Sequence, residues 1–523
     1  MINENNERKG KVDWLLLIFL FLFTNQAVLT YKLVGLVLIY LFRFNFKFGM
    51  FKGRLPKFYF FILLLALFSF VFIVKEFSSD YITAFIVGNL FWVFSLMAAH
   101  QVKLSVERYG HKSVYETMKV FTFVNFIFCI YQLVSIMQIT GTINPYNEYI
   151  PFPYGMSTGD NIYGAFLQNS YYNNMVSAIL AVYFIFKRNA TFTILSVICL
   201  VLIFGNFGTI LFVSLLAGLL LAGIFAGAAQ YSKGSLATWI KQVAPKGAFY
   251  LYLPGLVLLI GLMYYIASPK NLGYIVDKVK DKIFSVKSND EHNYATMISN
   301  QEPEEKAFDP FSDYLEEKEK KLVGNTQLKS FDAKAGLTDK NLNAKEELTK
   351  TYIEKLQGKN LAVLETTAFL KASTTNLLFG AGTTRFSSLI AQKMSGYDSS
   401  RLFMNVLPKY IAKPYAENHM LLIKVRAESK DKALYSTANW PDSLYNQLFG
   451  EYGVIGMLLF MFFYVGYFVR YIGRWSYGLW ILAILLPFAH LNYVFDTLCV
   501  IPFFELLMFA DIDEHSESIP VND

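Results

Sequence analysis

Two positions in the second half of the chain combine residue types that could do chemistry. The segment LFGAGTTRF, at 378–386, places Gly380 and Gly382 shortly before Arg385. Glycines let a backbone bend tightly or approach a ligand, and the threonine pair that follows them could cap a helix starting at Arg385. A helix start beside a guanidinium favours phosphate oxygens, so the pattern is compatible with an anion site. A purely structural turn explains the same pattern.

The second position is His419, which follows Asn418 and precedes an apolar run that contains Lys424 and Arg426. A histidine can accept a proton near neutral pH, but a lone histidine is more often a hydrogen-bonded structural group. Both interpretations stay open. Further along, Glu451 opens the segment EYGVIG, whose glycines allow close packing of a helix beneath this part of the chain.

The composition places these residues in a membrane protein. Of the 523 residues, 54% are hydrophobic and 17% are charged, whereas a water-soluble chain carries about 25% charged residues. The cysteines, at 129, 199 and 499, fall inside apolar stretches, which argues against zinc sites and disulfides outside the membrane. The chain is therefore predicted to be an all-α polytopic integral membrane protein.

Apolar stretches long enough to cross a bilayer occur along most of the chain, because a core of about 30 Å needs about 20 apolar helical residues. We predict twelve spans, at 13–31, 33–46, 57–75, 81–99, 117–139, 162–186, 190–205, 207–229, 248–267, 448–470, 475–489 and 491–510. They define a membrane domain at 1–267, a large loop at 268–447 and a second membrane region at 448–510. The acidic tail at 511–523 is expected to be a disordered end.

Lysine and arginine cluster in alternate connections, and positive charge resists translocation. The basic connections hold Arg8, Lys9, Lys11, Arg43, Lys47, Lys52, Arg54, Lys57, Lys103, Arg108, Lys112, Lys187, Arg188, Lys233, Lys241, Lys246, Arg470 and Arg474. The alternate short connections hold only Lys32 and Lys75. Both termini are therefore predicted to be cytoplasmic, and the large loop extracytoplasmic, since long loops translocate regardless of charge.

The large loop is predicted to be mainly helical, with three different parts. Residues 276–286 have the spacing of a helix that lies on a membrane surface. Residues 303–357 are charged and repetitive, which is typical of a solvated insertion. Residues 359–373, KNLAVLETTAFLKAS, have the pattern of an amphipathic helix, and it leads directly into the glycine turn at 380–382.

Here the chain resembles the bacterial O-antigen ligase and O-antigen polymerase superfamily. In that family an amphipathic helix of a large periplasmic loop leads to a motif like PLFGVGxxxF, and the loop closes with a motif like HNxxLQxxxExGxxG. The corresponding segments are LFGAGTTRF at 378–386 and DSLYNQLFGEYGVIG at 442–456. A weaker similarity lies at 164–180. The family's His-Asn pair is replaced by Asp442-Ser443, and no arginine stands near 205–209, where the family has one in a middle span.

The resemblance implies a glycosyltransferase of the bacterial inner membrane. Such an enzyme transfers a glycan from an undecaprenyl-pyrophosphate carrier to a hydroxyl at the outer face, with no metal, cofactor or nucleic acid. The resemblance implies that the pyrophosphate is bound by Arg385, Lys359, Lys424 and Arg426. It implies that Arg385 and His419 are catalytic and that His419 is the base. Possible supporting residues are Asn418, Glu417, Asp442, Glu451, Gly380 and Gly382.

Several functions stay open at the level of sequence. A polymerase of O-antigen or exopolysaccharide, which could work with a chain-length regulator, is favoured because its group is the more divergent one. A ligase would use the same donor and transfer the glycan to lipid A core. A flippase or another transporter is a different class, but transporters bury charges near the bilayer midplane, and Asp496 and Glu505 are the nearest examples here. A sensor that binds another protein is a further alternative.

Overall fold

The computed structural model describes residues 10–24, 29–43, 45, 47–71, 79–147, 158–166, 170–203, 262, 265–266, 349–353, 358–395, 410–428, 440–473 and 476–518. Its helices are α1 (Trp14–Thr24), α2 (Leu29–Phe42), α3 (Phe58–Phe68), α4 (Ser79–Thr140), α5 (Ser170–Phe186), α6 (Ala190–Leu202), α7 (Gly358–Lys371), α8 (Thr374–Phe379), α9 (Leu389–Ser395), α10 (Lys413–Glu417), α11 (His419–Glu428), α12 (Leu444–Leu459), α13 (Gly466–Tyr471), α14 (Tyr477–Leu491) and α15 (Ile501–Ser518). A π-helical turn at Phe460–Val465 joins α12 to α13. No strand occurs among the described residues.

Some sequence predictions fall on residues that the structure does not describe. They are the span at 207–229, the span at 248–267 apart from residues 262, 265 and 266, the surface helix at 276–286, and the charged insertion at 303–357 apart from residues 349–353. The site predictions all fall on described residues.

In the described part of the chain, two helices are long and apolar enough to cross a membrane. They are α4 and the helical stretch Leu444–Tyr471, which bends at Gly453. Both carry large apolar side chains that are exposed, such as Tyr131 at 69% and Phe462 at 68%. Apolar exposure of this kind is unfavourable in water and is typical of a surface that meets another apolar phase.

The helix α4 is two helices joined at a break. Its 62 residues would extend about 93 Å if straight, three times a bilayer core, but Gly110 has non-helical dihedral angles, φ 73° and ψ 168°. Both arms pack along the C-terminal region in the same direction from that break. The contacts are His111 with Asp513, Phe121 with Phe503, and Ser95 with Phe495. The arms therefore form a hairpin, which matches two predicted spans at 81–99 and 117–139 rather than one.

Contacts near the break define one end of the helical assembly, which we call the tail end. Polar and charged side chains pair there, and some of them belong to the last turns of α15. The pairs are Asp13 with Arg43, Arg54 with Glu107, His111 with Asp513, Lys187 with Glu514, and Asp511 with Ser476. The interpretation of 511–523 as a disordered end is wrong for residues 511–518, because these pairs hold them in a helix.

The opposite end of α4, α12 and α14 meets the described part of the large loop, and we call it the loop end. The predicted amphipathic helix is confirmed as α7, which buries Leu361 and Ala362 against α11. The helix α8 follows after a cap at Ser373, whose hydroxyl accepts a hydrogen bond from the amide of Asn376. Both α7 and α8 pack on α12, so the loop rests directly on a candidate membrane-spanning helix.

Candidate functional site

The two segments that carry the family resemblance lie against each other. The amide of Ala381 donates to the carbonyl of Gly450 at 2.8 Å, and the amide of Gly382 donates to the carbonyl of Glu451 at 2.9 Å. Backbone hydrogen bonds between segments about 70 residues apart in the chain fix their register. The glycine turn thus rests on the first turns of α12.

Glycine is required on both sides of this contact. Gly380 has φ +69°, and a Cβ there would lie 2.5 Å from the carbonyl carbon of Glu451. Gly453 has φ +65°, and a Cβ there would lie 2.4 Å from the backbone of Leu378. Positive φ and such short distances exclude any larger residue without movement of the backbone. The close approach expected of the glycine turn is therefore an approach to α12.

Residues 381–388, the 381–388 loop, pass between α3, α4 and α12. The Thr383 amide donates to the Ser69 hydroxyl at 3.1 Å, and the Thr383 hydroxyl donates to the Ala66 carbonyl at 3.2 Å. Thr384 has φ +62°, an unfavourable conformation for a β-branched residue. Strain of this kind persists where surrounding contacts enforce it, and it occurs often at functional sites.

The predicted helix start at Arg385 is wrong. The helix α9 begins at Leu389 instead, and the amide of Leu389 donates to a carboxylate oxygen of Asp496 at 3.0 Å. The Ser388 hydroxyl accepts from the amide of Ala391 at 3.1 Å. The side chains of Asp496 and Ser388 therefore accept hydrogen bonds from amides in the first turn of this short helix. The hydroxyl of Thr383 donates to the Ala66 carbonyl instead.

His419 is fully buried, and both of its ring nitrogens are hydrogen-bonded. Its Nε2 lies 3.0 Å from the Ala362 carbonyl oxygen and 3.1 Å from the Thr366 hydroxyl. Its Nδ1 lies 2.8 Å from the Ser387 hydroxyl. Since a carbonyl oxygen only accepts, Nε2 carries the proton, and Nδ1 of the neutral ring accepts from Ser387. The basic nitrogen of His419 therefore faces the 381–388 loop.

Phe386 connects His419 to the contact between the two segments. Its ring meets the imidazole edge to face, with centroids 4.8 Å apart, and lies 4.6 Å from the ring of Phe369 on α7. A Cβ at Gly450 would lie 1.9 Å from the same ring. One aromatic side chain thus packs α7, α11 and α12 together beside Arg385.

Arg385 is also buried, at 3% exposure, and its guanidinium lies over the ring of Tyr81 with 5.1 Å to the centroid. Tyr81 in turn stacks on Tyr410, at 5.3 Å between centroids. A guanidinium against an aromatic face keeps its full positive charge. Arg385 and Phe386 are neighbours in the chain. The 381–388 loop thus carries both a buried cation and the aromatic ring that contacts His419.

Lys359 joins three parts of the loop end. Its Nζ donates to the carbonyl oxygens of Asp442, at 2.7 Å, and Leu491, at 2.8 Å. Burial lowers the pKa of Lys359 to about 8, and the nearby Asp442 carboxylate offsets part of that effect. These two hydrogen bonds tie α7 to the segment before α12 and to the end of α14.

The other predicted ligands lie farther along α10 and α11. The Arg426 guanidinium covers the Trp440 ring at 3.8 Å, and Lys424 is half-buried on the same helix. The Asn418 side chain donates to the Pro414 carbonyl at 2.7 Å. Glu417 pairs with Lys413 at 3.8 Å, where the side chains are 43% and 64% exposed. These contacts of Arg426, Asn418 and Glu417 do not include His419 or Phe386.

Two buried carboxylates lie beneath the 381–388 loop. Asp496 accepts from the Gln447 side chain at 2.9 Å and from the amide of Leu389. Glu451 is fully buried, with Ser388 and the amides of Thr384 and Phe386 beside its carboxylate. These groups orient the loop from below. No group of three or more His, Cys, Asp or Glu side chains that could hold a metal occurs in the described part of the chain.

Sequence reasoning missed Ser387, Tyr493 and Asp496 as members of this region. Asp496 carried a usable signal, because an acidic residue within an apolar stretch usually has a specific partner. Ser387 carried none, since a serine in a loop is common and its partner lies 32 positions away.

Comparisons of the chain with family models, with curated proteins and with solved structures found no match. The resemblance to O-antigen ligases and polymerases therefore rests on the motif residues alone.

Proposed function

We propose that the chain is a membrane glycosyltransferase that transfers a glycan from an undecaprenyl-pyrophosphate-linked donor to a sugar hydroxyl, as a polymerase of O-antigen or exopolysaccharide. The observation that carries the proposal is the contact between segments 378–386 and 442–456. They were selected by motif similarity, and they lie backbone against backbone through Gly380 and Gly453. A chance resemblance gives no reason for two distant segments to meet.

The charges at this contact suit the reaction. Negative charge grows on the departing pyrophosphate, and a buried guanidinium stabilises it strongly because little water competes. Arg385 would supply that cation. The neutral His419 has its basic Nδ1 directed at the same loop, so it would take the proton of the attacking hydroxyl. Lys359 would hold the surrounding elements together through its two carbonyl contacts.

The proposal also requires a sidedness. Basic residues gather at the tail end, so that end would lie in the cytoplasm, with the loop end at the outer face and twelve spans between them. Two exposed lysines at opposite ends can test this, Lys413 at the loop end and Lys112 beside the tail end. We expect an impermeant thiol reagent to label Lys413→Cys in intact cells, and Lys112→Cys only after lysis. The native cysteines are buried and give little background. The reverse pattern would contradict the proposal.

Loss of function tests the proposed residues. We expect Arg385→Ala and His419→Ala to abolish polymer in cells that depend on this chain, while the exposed Lys413→Ala leaves polymer length and amount unchanged. The conservative variants Arg385→Lys and His419→Gln control for misfolding. All variants are compared at equal amounts of protein in the membrane. Unchanged polymer in both alanine variants would refute the enzymatic role of the site.

The glycan that accumulates when the chain loses its function distinguishes a polymerase from a ligase. Loss of a polymerase leaves single repeat units on the acceptor, whereas loss of a ligase leaves long polymer on the lipid carrier. We expect single repeat units.

A further inference from the structure

Ser387 lies between the proposed base and the centre of the 381–388 loop. Its side chain is fully buried, and its hydroxyl oxygen lies 2.8 Å from Nδ1 of His419. The interpretation of His419 as a base does not explain this contact, because a serine already stands where the acceptor hydroxyl would have to approach.

The hydrogen bonds around the imidazole fix the direction of this contact. Ala362 offers a carbonyl oxygen to Nε2, so Nε2 holds its proton throughout. The Thr366 hydroxyl donates to that same carbonyl, at 2.7 Å. In the neutral ring Nδ1 has only a lone pair to offer, and the Ser387 hydroxyl must donate to it. The proton nearest to the base is therefore the proton of Ser387.

On its other side, the Ser387 oxygen meets the hydroxyl of a buried tyrosine at a long distance. The hydroxyl of Tyr493 lies 3.5 Å from it, at the outer limit of a hydrogen bond and longer than the usual O–H···O distance by about 0.7 Å. The lone pairs of Ser387 are thus only weakly used on that side. A second hydroxyl that replaces this long contact would complete a chain of hydrogen bonds to His419.

We propose that Ser387 relays the proton of the acceptor hydroxyl to His419, an inference that rests on the proposed function. The acceptor oxygen gives its proton to Ser387 Oγ while Ser387 gives its own proton to Nδ1, which yields an imidazolium. The acceptor oxygen forms a bond to the sugar's anomeric carbon. The bond from that carbon to the pyrophosphate oxygen breaks, and its electron pair leaves with the pyrophosphate. The imidazolium later returns the proton to solvent.

The same contacts serve both proton states. In the imidazolium, Nδ1 carries hydrogen and donates to Ser387, whose own hydroxyl hydrogen then lies on the side from which the acceptor gave it. No heavy atom has to move for this reversal. Hydroxyl rotation is enough, so the relay costs little reorganisation.

Variants of the purified, reconstituted chain can test the relay with undecaprenyl-pyrophosphate-linked repeat units as the probe. We expect Ser387→Ala to lower kcat about 100-fold with KM for the donor changed less than about twofold, within the range for general base catalysis. Ser387→Thr keeps the hydroxyl and should recover most of the rate. Ser395→Ala is the matched control, because Ser395 is also buried and its hydroxyl donates to the backbone carbonyl of Gln392.

A pH profile separates a relay from a merely structural role. The wild-type rate should depend on pH, and the residual rate of Ser387→Ala should lose this dependence. Combined with His419→Gln, the serine change should add less than about threefold, since both remove one step. A Ser387→Ala rate within twofold of wild type, or full additivity with an unchanged profile, would overturn the relay. A wild-type chain that forms no product would instead refute the proposed function, and the relay with it.

Discussion

The two ends of the helical assembly use charge in different ways. At the tail end cations meet carboxylates, as in the buried pair of Arg43 with Asp13 and the partly exposed pair of Lys187 with Glu514. At the loop end, two buried cations contact backbone carbonyls and an aromatic ring. Lys359 contacts two carbonyl oxygens, and Arg385 covers an aromatic ring.

We expect the charged residues at the tail end to support the fold and those at the loop end to support glycan transfer. The ion pairs at the tail end hold helices together, whereas the proposed function assigns Arg385 and His419 to transfer. Tail-end substitutions should therefore reduce stability and leave transfer intact in the surviving protein. Substitutions at Arg385 and His419 should reduce transfer in a protein that still folds.

The largest effect on stability is expected from Arg43→Ala. It leaves the Asp13 carboxylate buried without its guanidinium, and breaking a buried pair in this way costs about 3–5 kcal/mol. Thermal unfolding in detergent should show it as a much lower Tm. The double variant Arg43→Met with Asp13→Leu removes both charges and should restore most of the loss. A Tm for Arg43→Ala near that of wild type would show that the pair does not support the fold.

Gly453→Ala should cost somewhat less, about 3 kcal/mol. The new Cβ would lie 2.4 Å from the backbone of Leu378 in a left-handed backbone conformation, so steric overlap and strain add. Gly466→Ala is the control farther along the same element, because its Cβ would lie at an ordinary 3.5 Å from the carbonyl oxygen of Met461. Equal unfolding temperatures for the two variants would mean that the two segments do not pack as described.

Lys359 gives a pH-dependent effect of about 2 kcal/mol. Its pKa in the folded protein is about 8, below the usual 10.5, so the unfolded chain binds more protons between these values and folding becomes more favourable as pH rises through them. The stability of wild type relative to Lys359→Met should thus increase by about 2 kcal/mol from pH 8 to pH 10. Unfolding free energies of both proteins at these pH values measure it. A constant difference would show that Lys359 is not desolvated.

The smallest effect is expected from Lys187→Ala, at less than about 1 kcal/mol. Glu514 is 38% exposed, so water and salt screen the pair. The loss should shrink further in 1 M salt. A loss as large as that of Arg43→Ala would remove the distinction between buried and exposed pairs at the tail end.

The sequence could predict the elements that depend on local pattern. The helix α7 follows from its amphipathic spacing, and the break at Gly110 lies between two predicted spans, because apolar length alone sets these features. The start of α9 could not be predicted in the same way. Asp496, a carboxylate 107 positions away, satisfies the amide of Leu389, so a tertiary partner decides where this helix begins.

The candidate site was predictable only in its residue types. Motif similarity selected the glycine turn, Arg385 and Glu451, and these do lie together. His419 came from its residue type and from what the resemblance implies, and nothing in its neighbours along the chain indicates Ser387 or Ala362 as partners. Lys359 was expected to bind phosphate, yet its strongest contacts tie backbone segments together. Side-chain partners across long sequence separations depend on the packed fold, which local pattern does not encode.

The central claim is that the loop end catalyses glycan transfer from a lipid-linked donor. The most direct measurement is reconstitution of the purified chain with undecaprenyl-pyrophosphate-linked repeat units, without nucleotide, and gel analysis of the products. We expect a ladder of lengthening glycans for the wild type and for Lys413→Ala, and none for Arg385→Ala. A wild-type chain that leaves the repeat units unchanged, or an Arg385→Ala chain that forms the same ladder, would contradict the claim.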